Sequence, residues 1–127
     1  MVDAGWVLAI DFGTSYTVTA VRGERGPEVI EIGGDRRVPS VVLADEDGVL
    51  VVGRAAEDMS LTQPGRTMRA PKSRLGEPAP VILAGRPHNV VDFVTAIFRH
   101  VHAEAVRHQG SEPSEVRLTH PATWSKT

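Results

Sequence analysis

The feature that most limits what this chain can fold into is a short turn between two apolar segments near its N-terminus. Residues 7–10 predict a buried strand, Asp11 follows at its end, and residues 16–22 predict a second strand. The Gly-Thr-Ser turn at residues 13–15 combines a glycine, which admits a ligand close to the backbone, with two hydroxyls. Such a turn suits phosphate oxygens, and a nearby carboxylate suits hydrated Mg²⁺. A plain β-hairpin turn has the same composition, so both interpretations stay open.

Composition limits the class of protein. The chain has 127 residues, the length of one domain, with 24% charged and 41% hydrophobic residues, which predicts a soluble globular fold. The net charge of −2 provides no basic surface for nucleic acid or anionic lipid. The absence of cysteine excludes disulfides and thiolate sites and fits a reducing compartment. The sequence predicts neither a signal peptide nor a membrane span, because it lacks a basic leader and any apolar run of about 20 residues.

Hydrophobic periodicity predicts several strands followed by one long helix. The strands are expected at residues 6–11, 16–22, 27–32, 39–45, 49–52, 81–84 and 115–119. A short helix is expected over residues 53–59, and the long helix runs from an Asn89 cap to a stop at Gly110. The segment most like a linker is the Pro/Gly/Arg-rich run at residues 63–80.

Lys72 is the second candidate for chemistry. It lies in a loop-like segment, residues 69–76, where an ammonium group could contact a phosphate. A solvated surface lysine is the alternative that the local sequence favours. The five histidines show no metal-ligand spacing.

Five stretches of the chain, in order, match one family. They are residues 10–16 (Ile-Asp-Phe-Gly-Thr-Ser-Tyr), 34–42 (Gly-Asp-Arg-Arg-Val-Pro-Ser-Val-Val), 52–56 (Val-Gly-Arg-Ala-Ala), 72–76 (Lys-Ser-Arg-Leu-Gly) and 118–124 (Leu-Thr-His-Pro-Ala-Thr-Trp). Together they resemble the N-terminal part of the nucleotide-binding domain of the heat shock protein 70 family, the DnaK-type chaperones. The first stretch is shared in looser form by the wider actin-like ATPase superfamily.

The resemblance implies an α/β fold of the ribonuclease H-like, actin-like ATPase type. This chain would be the first half of lobe I: a mixed sheet with a β-meander, a small irregular insertion and one long helix. Residues 1–127 would then be one segment. Within it, about 1–38 and 112–127 would form the core sheet, and about 39–111 a trimmed insertion subdomain plus the connecting helix.

The resemblance also implies an ATP and Mg²⁺ site at the first turn. Gly13, Thr14, Ser15 and Tyr16 would contact the β- and γ-phosphates, and Asp11 would hold the Mg²⁺ shell, mostly through water.

Two further residues receive roles from the resemblance. Lys72 would face the γ-phosphate and position the attacking water. Pro121 would relay the nucleotide state toward a substrate domain. ATP or ADP would be the ligand, and client polypeptides would bind through a C-terminal domain absent here. Co-chaperones are possible partners, and a cytoplasmic location is expected.

The chain also departs from the family pattern. The segment between Gly76 and Pro87 is shorter than usual, which puts a conventional exchange factor in doubt. The second phosphate loop, the adenosine loop and the peptide-binding domain are missing. We therefore expect a fragment of a longer protein that is inactive alone and prone to self-association.

Two alternatives remain at this stage. One is a fragment of an FGGY-type sugar kinase, which opens with a similar Asp-x-Gly-Thr-Ser motif. The other is an actin-like nucleotide sensor or scaffold that does not hydrolyse ATP. The Pro39-Ser40 segment and the Lys72 loop argue against the kinase.

Overall fold

A computed structural model describes residues 5–119, which form ten strands, two α-helices and two 3₁₀ turns. The strands are β1 (Val7–Phe12), β2 (Tyr16–Gly23), β3 (Gly26–Val29), β4 (Arg37–Pro39), β5 (Val41–Ala44), β6 (Leu50–Val52), β7 (Thr67–Arg69), β8 (Val81–Leu83), β9 (Arg86–His88) and β10 (Glu115–Thr119). The helices are α1 (Arg54–Ser60) and α2 (Val90–Gln109), and the 3₁₀ turns cover Pro64–Arg66 and Pro71–Arg74.

The main sheet is built on the β1–β2 hairpin. Strand β2 pairs antiparallel with β1, β3 and β4, whereas β10 pairs parallel with β1. A parallel pair needs a long crossover, and here the crossover contains every element from β2 to α2. Leu8 and Ile10 are buried on one face of β1, and Asp11 is exposed on the other. The strand predicted at 115–119 is confirmed as β10, and those predicted at 6–11 and 16–22 are confirmed with ends shifted by a residue.

Helix α2 joins the main sheet to the insertion. Its N-cap Asn89 accepts a hydrogen bond from the Val91 N–H at 3.0 Å, and it ends at Gly110 in the left-handed conformation. Both predicted ends are confirmed. The buried stripe of α2 carries Phe93, Ile97, Val101 and Ala105, spaced four residues apart. The first two residues pack in the insertion core and the last two against the main sheet, so truncating Phe93 to alanine would cost about 3–5 kcal/mol.

The second sheet has the order β6-β5-β7, and α1 packs against β5. Strands β5 and β6 form a hairpin, and Asp45 stabilises its turn by accepting hydrogen bonds from the N–H groups of Asp47 and Val49, both at 2.9 Å. The predicted helix at 53–59 is confirmed as α1, and the predicted strand at 81–84 as β8, which pairs with β9.

Three expectations for strands and linker were wrong in detail. The strand predicted at 39–45 is divided, because β4 pairs with β2 in the main sheet and β5 begins the second sheet after Ser40. The strand predicted at 27–32 is only β3, since the chain turns back at Gly33 and Gly34 and leaves Ile32 in a single bridge with Asp35. The linker predicted at 63–80 contains β7, which pairs with β5 because buried Met68 lies in the insertion core.

Candidate functional site

The turn between β1 and β2 is closed by a backbone hydrogen bond. The Gly13 N–H donates to the Tyr16 carbonyl oxygen at 2.9 Å. A Cβ on residue 13 would lie 2.4 Å from that same oxygen, so only glycine fits the position without a backbone shift. Thr14 and Ser15 are exposed at the tip of the turn. The tip therefore presents two hydroxyl side chains at the end of the two central strands, a donor set that suits an oxyanion.

Asp11 stands two residues before this turn, on the exposed face of the main sheet. Its register partners are Val18 on β2 and Thr119 on β10. Between residues 5 and 119 no group of three or more acidic, histidine or cysteine side chains could hold a metal ion. A single carboxylate beside a phosphate-binding turn nevertheless fits Mg²⁺, which keeps several waters and takes one or two carboxylates plus phosphate oxygens. Asp11 is thus the residue that would hold this ion.

A buried pair of hydroxyls supports the turn from below. Ser40 Oγ donates to the Gly13 carbonyl oxygen at 3.0 Å and lies 3.0 Å from Thr17 Oγ1. Because the single Ser40 proton is used on Gly13, the Thr17 hydroxyl must donate to Ser40 Oγ. The Ser40 N–H also donates to the Ser15 carbonyl oxygen at 2.9 Å. Ser40 therefore fixes the turn at both ends, at the point where the chain passes from one sheet to the other.

Lys72 reaches the same turn from 60 residues away. Its Nζ donates to the Phe12 carbonyl oxygen at 3.0 Å, and the side chain is only partly exposed. The 3₁₀ turn that carries it begins after Ala70, whose backbone is left-handed (φ 51°) and whose N–H donates to the Ser40 carbonyl oxygen at 3.1 Å. The ammonium group is thereby held at the end of β1. The interpretation of Lys72 as a purely solvated lysine is wrong, since it contacts the backbone next to Gly13.

Tyr16 forms the outer wall of the turn. Its ring is 42% exposed, and the Arg37 guanidinium carbon lies 4.5 Å from the ring centroid, within the range of a cation–π contact. Arg37 comes from β4, which pairs with β2. A positive charge therefore lies beside the turn on the Tyr16 side, in addition to Lys72.

The sequence-predicted residues Asp11, Gly13, Thr14, Ser15, Tyr16 and Lys72 are thus brought to one end of the main sheet. Their roles toward a nucleotide stay predictions. Pro121, the predicted relay residue, lies outside the described residues.

Sequence reasoning missed Ser40, Thr17 and Arg37 as parts of this site. Ser40 entered only as part of a matching stretch. Thr17 carried a usable signal. It shares a strand face with Val21, which is buried, and a buried hydroxyl generally has a hydrogen-bond partner. No local signal marks Arg37, since its contact depends on how β4 pairs.

Comparisons with known proteins show the family of this chain. The family model described as "Hsp70 protein" matches residues 7–108. Two curated relatives, both named chaperone protein DnaK, come from Halobacterium salinarum strains R1 and NRC-1. Each is 30% identical over 118 residues, which cover 91% of this chain but 19% of the relative. The chain therefore spans about a fifth of the length of the curated relatives it matches.

The helices of the structure can be compared with a membrane-spanning helix. In the part of the chain that is described, neither α1 nor α2 has the length and apolar character of a membrane-spanning helix.

The match of the family model over most of the chain favours the chaperone interpretation over the sugar kinase. The mixed α/β architecture, with its meander, insertion and long helix, is that of the actin-like ATPase fold, and the chain belongs to the Hsp70 family.

Proposed function

We propose that this chain supplies the first phosphate-binding turn and the catalytic lysine of a chaperone ATPase. The observation that carries the proposal is the contact of Lys72 Nζ with the Phe12 carbonyl oxygen at 3.0 Å, which joins two matching stretches lying 60 residues apart. A cation held at the end of a Gly-Thr-Ser turn is an arrangement suited to phosphoryl transfer, where positioning and electrostatics provide most of the catalysis.

Separate residues bind the phosphates, hold the metal ion and support the turn. Gly13, Thr14, Ser15 and Tyr16 bind the β- and γ-phosphates of ATP through backbone amides and hydroxyls. Asp11 holds the water shell of Mg²⁺, which supplies charge neutralisation when bound. The buried Thr17–Ser40 pair beneath the turn keeps it preorganised.

Lys72 stabilises the negative charge that develops at the terminal phosphate and positions the attacking water. The Phe12 carbonyl oxygen, to which Lys72 donates, is neutral and a weaker hydrogen-bond acceptor than a phosphate oxygen. No covalent intermediate on the protein is required.

The wider function follows from the family and is part of the same proposal. ATP and ADP are the nucleotides, and client polypeptides bind through a domain outside this chain. Co-chaperones assist, and the protein works in the cytoplasm. Pro121 relays the nucleotide state toward the substrate domain.

NMR titration of the ¹⁵N-labelled 127-residue protein with MgATP tests the turn directly, because it detects even millimolar binding. We expect the amides of residues 13–16 to shift together, and Lys72→Ala to weaken the apparent affinity about tenfold, since a charged hydrogen bond to phosphate is lost. Arg25→Ala, which removes one exposed positive charge from the β2–β3 turn, is the matched control.

The catalytic role of Lys72 needs a second assay. In a longer protein that carries this chain together with the second phosphate loop, Lys72→Ala should reduce single-turnover phosphate release by at least about a hundredfold, with nucleotide still bound. Amides of residues 13–16 whose chemical shifts do not change with MgATP, or phosphate release that is unchanged in Lys72→Ala, would contradict the proposal.

A further inference from the structure

A groove beside Tyr16 contains an unusual concentration of arginine. The groove has a volume of about 580 Å³ and is lined by Tyr16 together with four arginines: Arg36, Arg37, Arg54 and Arg69. The volume is in the range of small-ligand sites. Because Tyr16 also closes the predicted phosphate-binding turn, the groove and the turn share one wall.

Some of this charge is neutralised internally. Arg54 donates to Asp35 Oδ1 at 2.8 Å and lies 3.9 Å from Asp58, so one guanidinium offsets part of the charge of two carboxylates; Asp35 Oδ2 is buried with no hydrogen-bond partner among residues 5–119. Of the three carboxylates lining the groove, only Glu57 is then left outside an ion pair formed within residues 5–119. Arg69 donates to the hydroxyl of Ser60 at 2.7 Å, a neutral partner. Four arginines and three carboxylates line the groove, so its lining keeps one excess positive charge.

Arg37 is the arginine best prepared to bind an anion. Its guanidinium lies on the Tyr16 ring, 4.5 Å from the centroid, and makes no ion pair with any carboxylate of the described part of the chain. A guanidinium stacked on a ring keeps its N–H fork at the edge, where it can bind an oxyanion with two hydrogen bonds. The stack also reduces the rotamer freedom that Arg37 would lose on binding.

The register of the main sheet relates Arg37 to Asp11. Arg37 pairs with Val18, and Val18 pairs with Asp11, so all three side chains lie on one face of the sheet. Two strand spacings separate Arg37 from Asp11 at the backbone, about 10 Å. A phosphate bound by Arg37 would thus lie next to the predicted metal and phosphate site.

We propose that this groove is a second oxyanion subsite that binds a phosphate group, with Arg37 as its main ligand and Arg69 as an accessory ligand. Two sources carry the same chemistry: the terminal phosphate of a nucleotide held at the turn, or a separate phosphate-bearing small molecule. The subsite goes beyond the nucleotide site proposed above. It depends on that site only in that Tyr16 lines both.

NMR titration with inorganic triphosphate tests the subsite, with the amides of Tyr16 and Arg69 and the Arg37 Nε–H as reporters. We expect saturable shifts in the unmodified protein. Arg37→Ala should raise the apparent Kd read at Tyr16 and Arg69 about tenfold, because a charged bidentate contact is lost. Arg37→Lys should raise it about threefold, because lysine keeps the charge but has no planar fork.

Arg25→Ala is the matched control for the loss of one exposed positive charge, and its Kd should change less than about twofold. Equal effects of Arg37→Ala and Arg25→Ala, or shifts that never saturate, would overturn the subsite and leave only general attraction of anions. A dispersed amide spectrum identifies variants that still fold. If Arg37→Ala is unfolded, Arg37→Lys alone decides, and an unchanged Kd in it overturns the proposal.

The source of the phosphate is resolved by comparing ligands. With MgATP, equal Kd values at residues 13–15 and at Arg37 identify the nucleotide's own terminal phosphate. Shifts at Arg37 that require inorganic phosphate added beside saturating MgATP identify a separate ligand. Turn amides that ignore MgATP would contradict the ATP site proposed above, whereas the triphosphate titration would still decide the subsite.

Discussion

Two threonines on β2 allow one substitution to be tested with opposite expected results. Thr17 and Thr19 are both buried on the same face of the strand, at 0% and 1% exposure. The Thr17 hydroxyl donates to Ser40 Oγ, which donates to the Gly13 carbonyl oxygen beneath the β1–β2 turn. The Thr19 hydroxyl has no hydrogen-bond partner among residues 5–119. Valine has nearly the same shape as threonine, so Thr→Val at either position changes mainly the hydroxyl.

The magnitudes follow from these partners. Thr17→Val removes a buried hydrogen bond and should lower the free energy of unfolding by about 1–1.5 kcal/mol. Thr19→Val removes a buried hydroxyl that lacks a partner and should raise the free energy of unfolding by about 1 kcal/mol. Ser40→Ala should cost more, about 2–3 kcal/mol, because it leaves both the Thr17 hydroxyl and the Gly13 carbonyl without a partner. The two valine variants should therefore differ by about 2 kcal/mol, with opposite signs.

Urea denaturation at constant m-value measures these differences, with Ser73→Ala as an exposed serine control expected within about 0.5 kcal/mol of the unmodified protein. Hydrogen exchange of the Gly13 N–H provides a second measurement, because it should accelerate in Thr17→Val and Ser40→Ala but not in Thr19→Val. Equal destabilisation by Thr17→Val and Thr19→Val would refute the reasoning, since it would mean that the Ser40 network contributes nothing specific.

Four further predictions follow from the same structure. Gly13→Ala should cost at least about 2 kcal/mol in urea denaturation, because its Cβ would lie 2.4 Å from the Tyr16 carbonyl oxygen, whereas Gly65→Ala, with open space around it, should cost far less. Burial, opposed by Glu104 and assisted by Arg107, lowers the pKa of His100 below its usual 6.5. The unfolded chain therefore binds the proton first, and the free energy of unfolding should fall as pH drops below about 6.5; His100→Gln should flatten that dependence in urea denaturation. Isothermal titration of the 127-residue protein with MgATP should show no binding tighter than the millimolar range, and clean micromolar affinity would contradict the expectation that further loops are needed. Sedimentation should show concentration-dependent self-association, because β10 is an edge strand of the described main sheet and exposes Val116 (49%) and Leu118 (56%). A strictly monomeric protein at high concentration would count against this prediction.

Much of the fold was predictable because its elements carry strong local signals. The α2 helix has an Asn cap, a four-residue apolar spacing and a terminal Gly, and each of these acts within a few residues. In the β1–β2 hairpin, buried and more exposed residues alternate on both sides of the turn. Strand β7 was missed because it is only three residues long, too short for an alternating pattern, and is held as a strand by pairing with β5. The division of residues 39–45 was missed because both pieces are apolar and extended, and nothing local tells which sheet each joins.

The sequence by itself determined the chemical groups and the turn that displays them: Asp11, the glycine at residue 13 and the two hydroxyls after it are adjacent in the chain, and their arrangement depends on local backbone geometry. Only the tertiary structure decided which distant groups support that turn. Ser40 lies 27 residues from Gly13, and Lys72 lies 60 residues from Phe12. Arg37 reaches Tyr16 because β4 pairs with β2. These contacts arise from strand pairing and from the burial of β5 and β7 in the insertion core, which are cooperative properties of the folded chain that no short window of sequence contains.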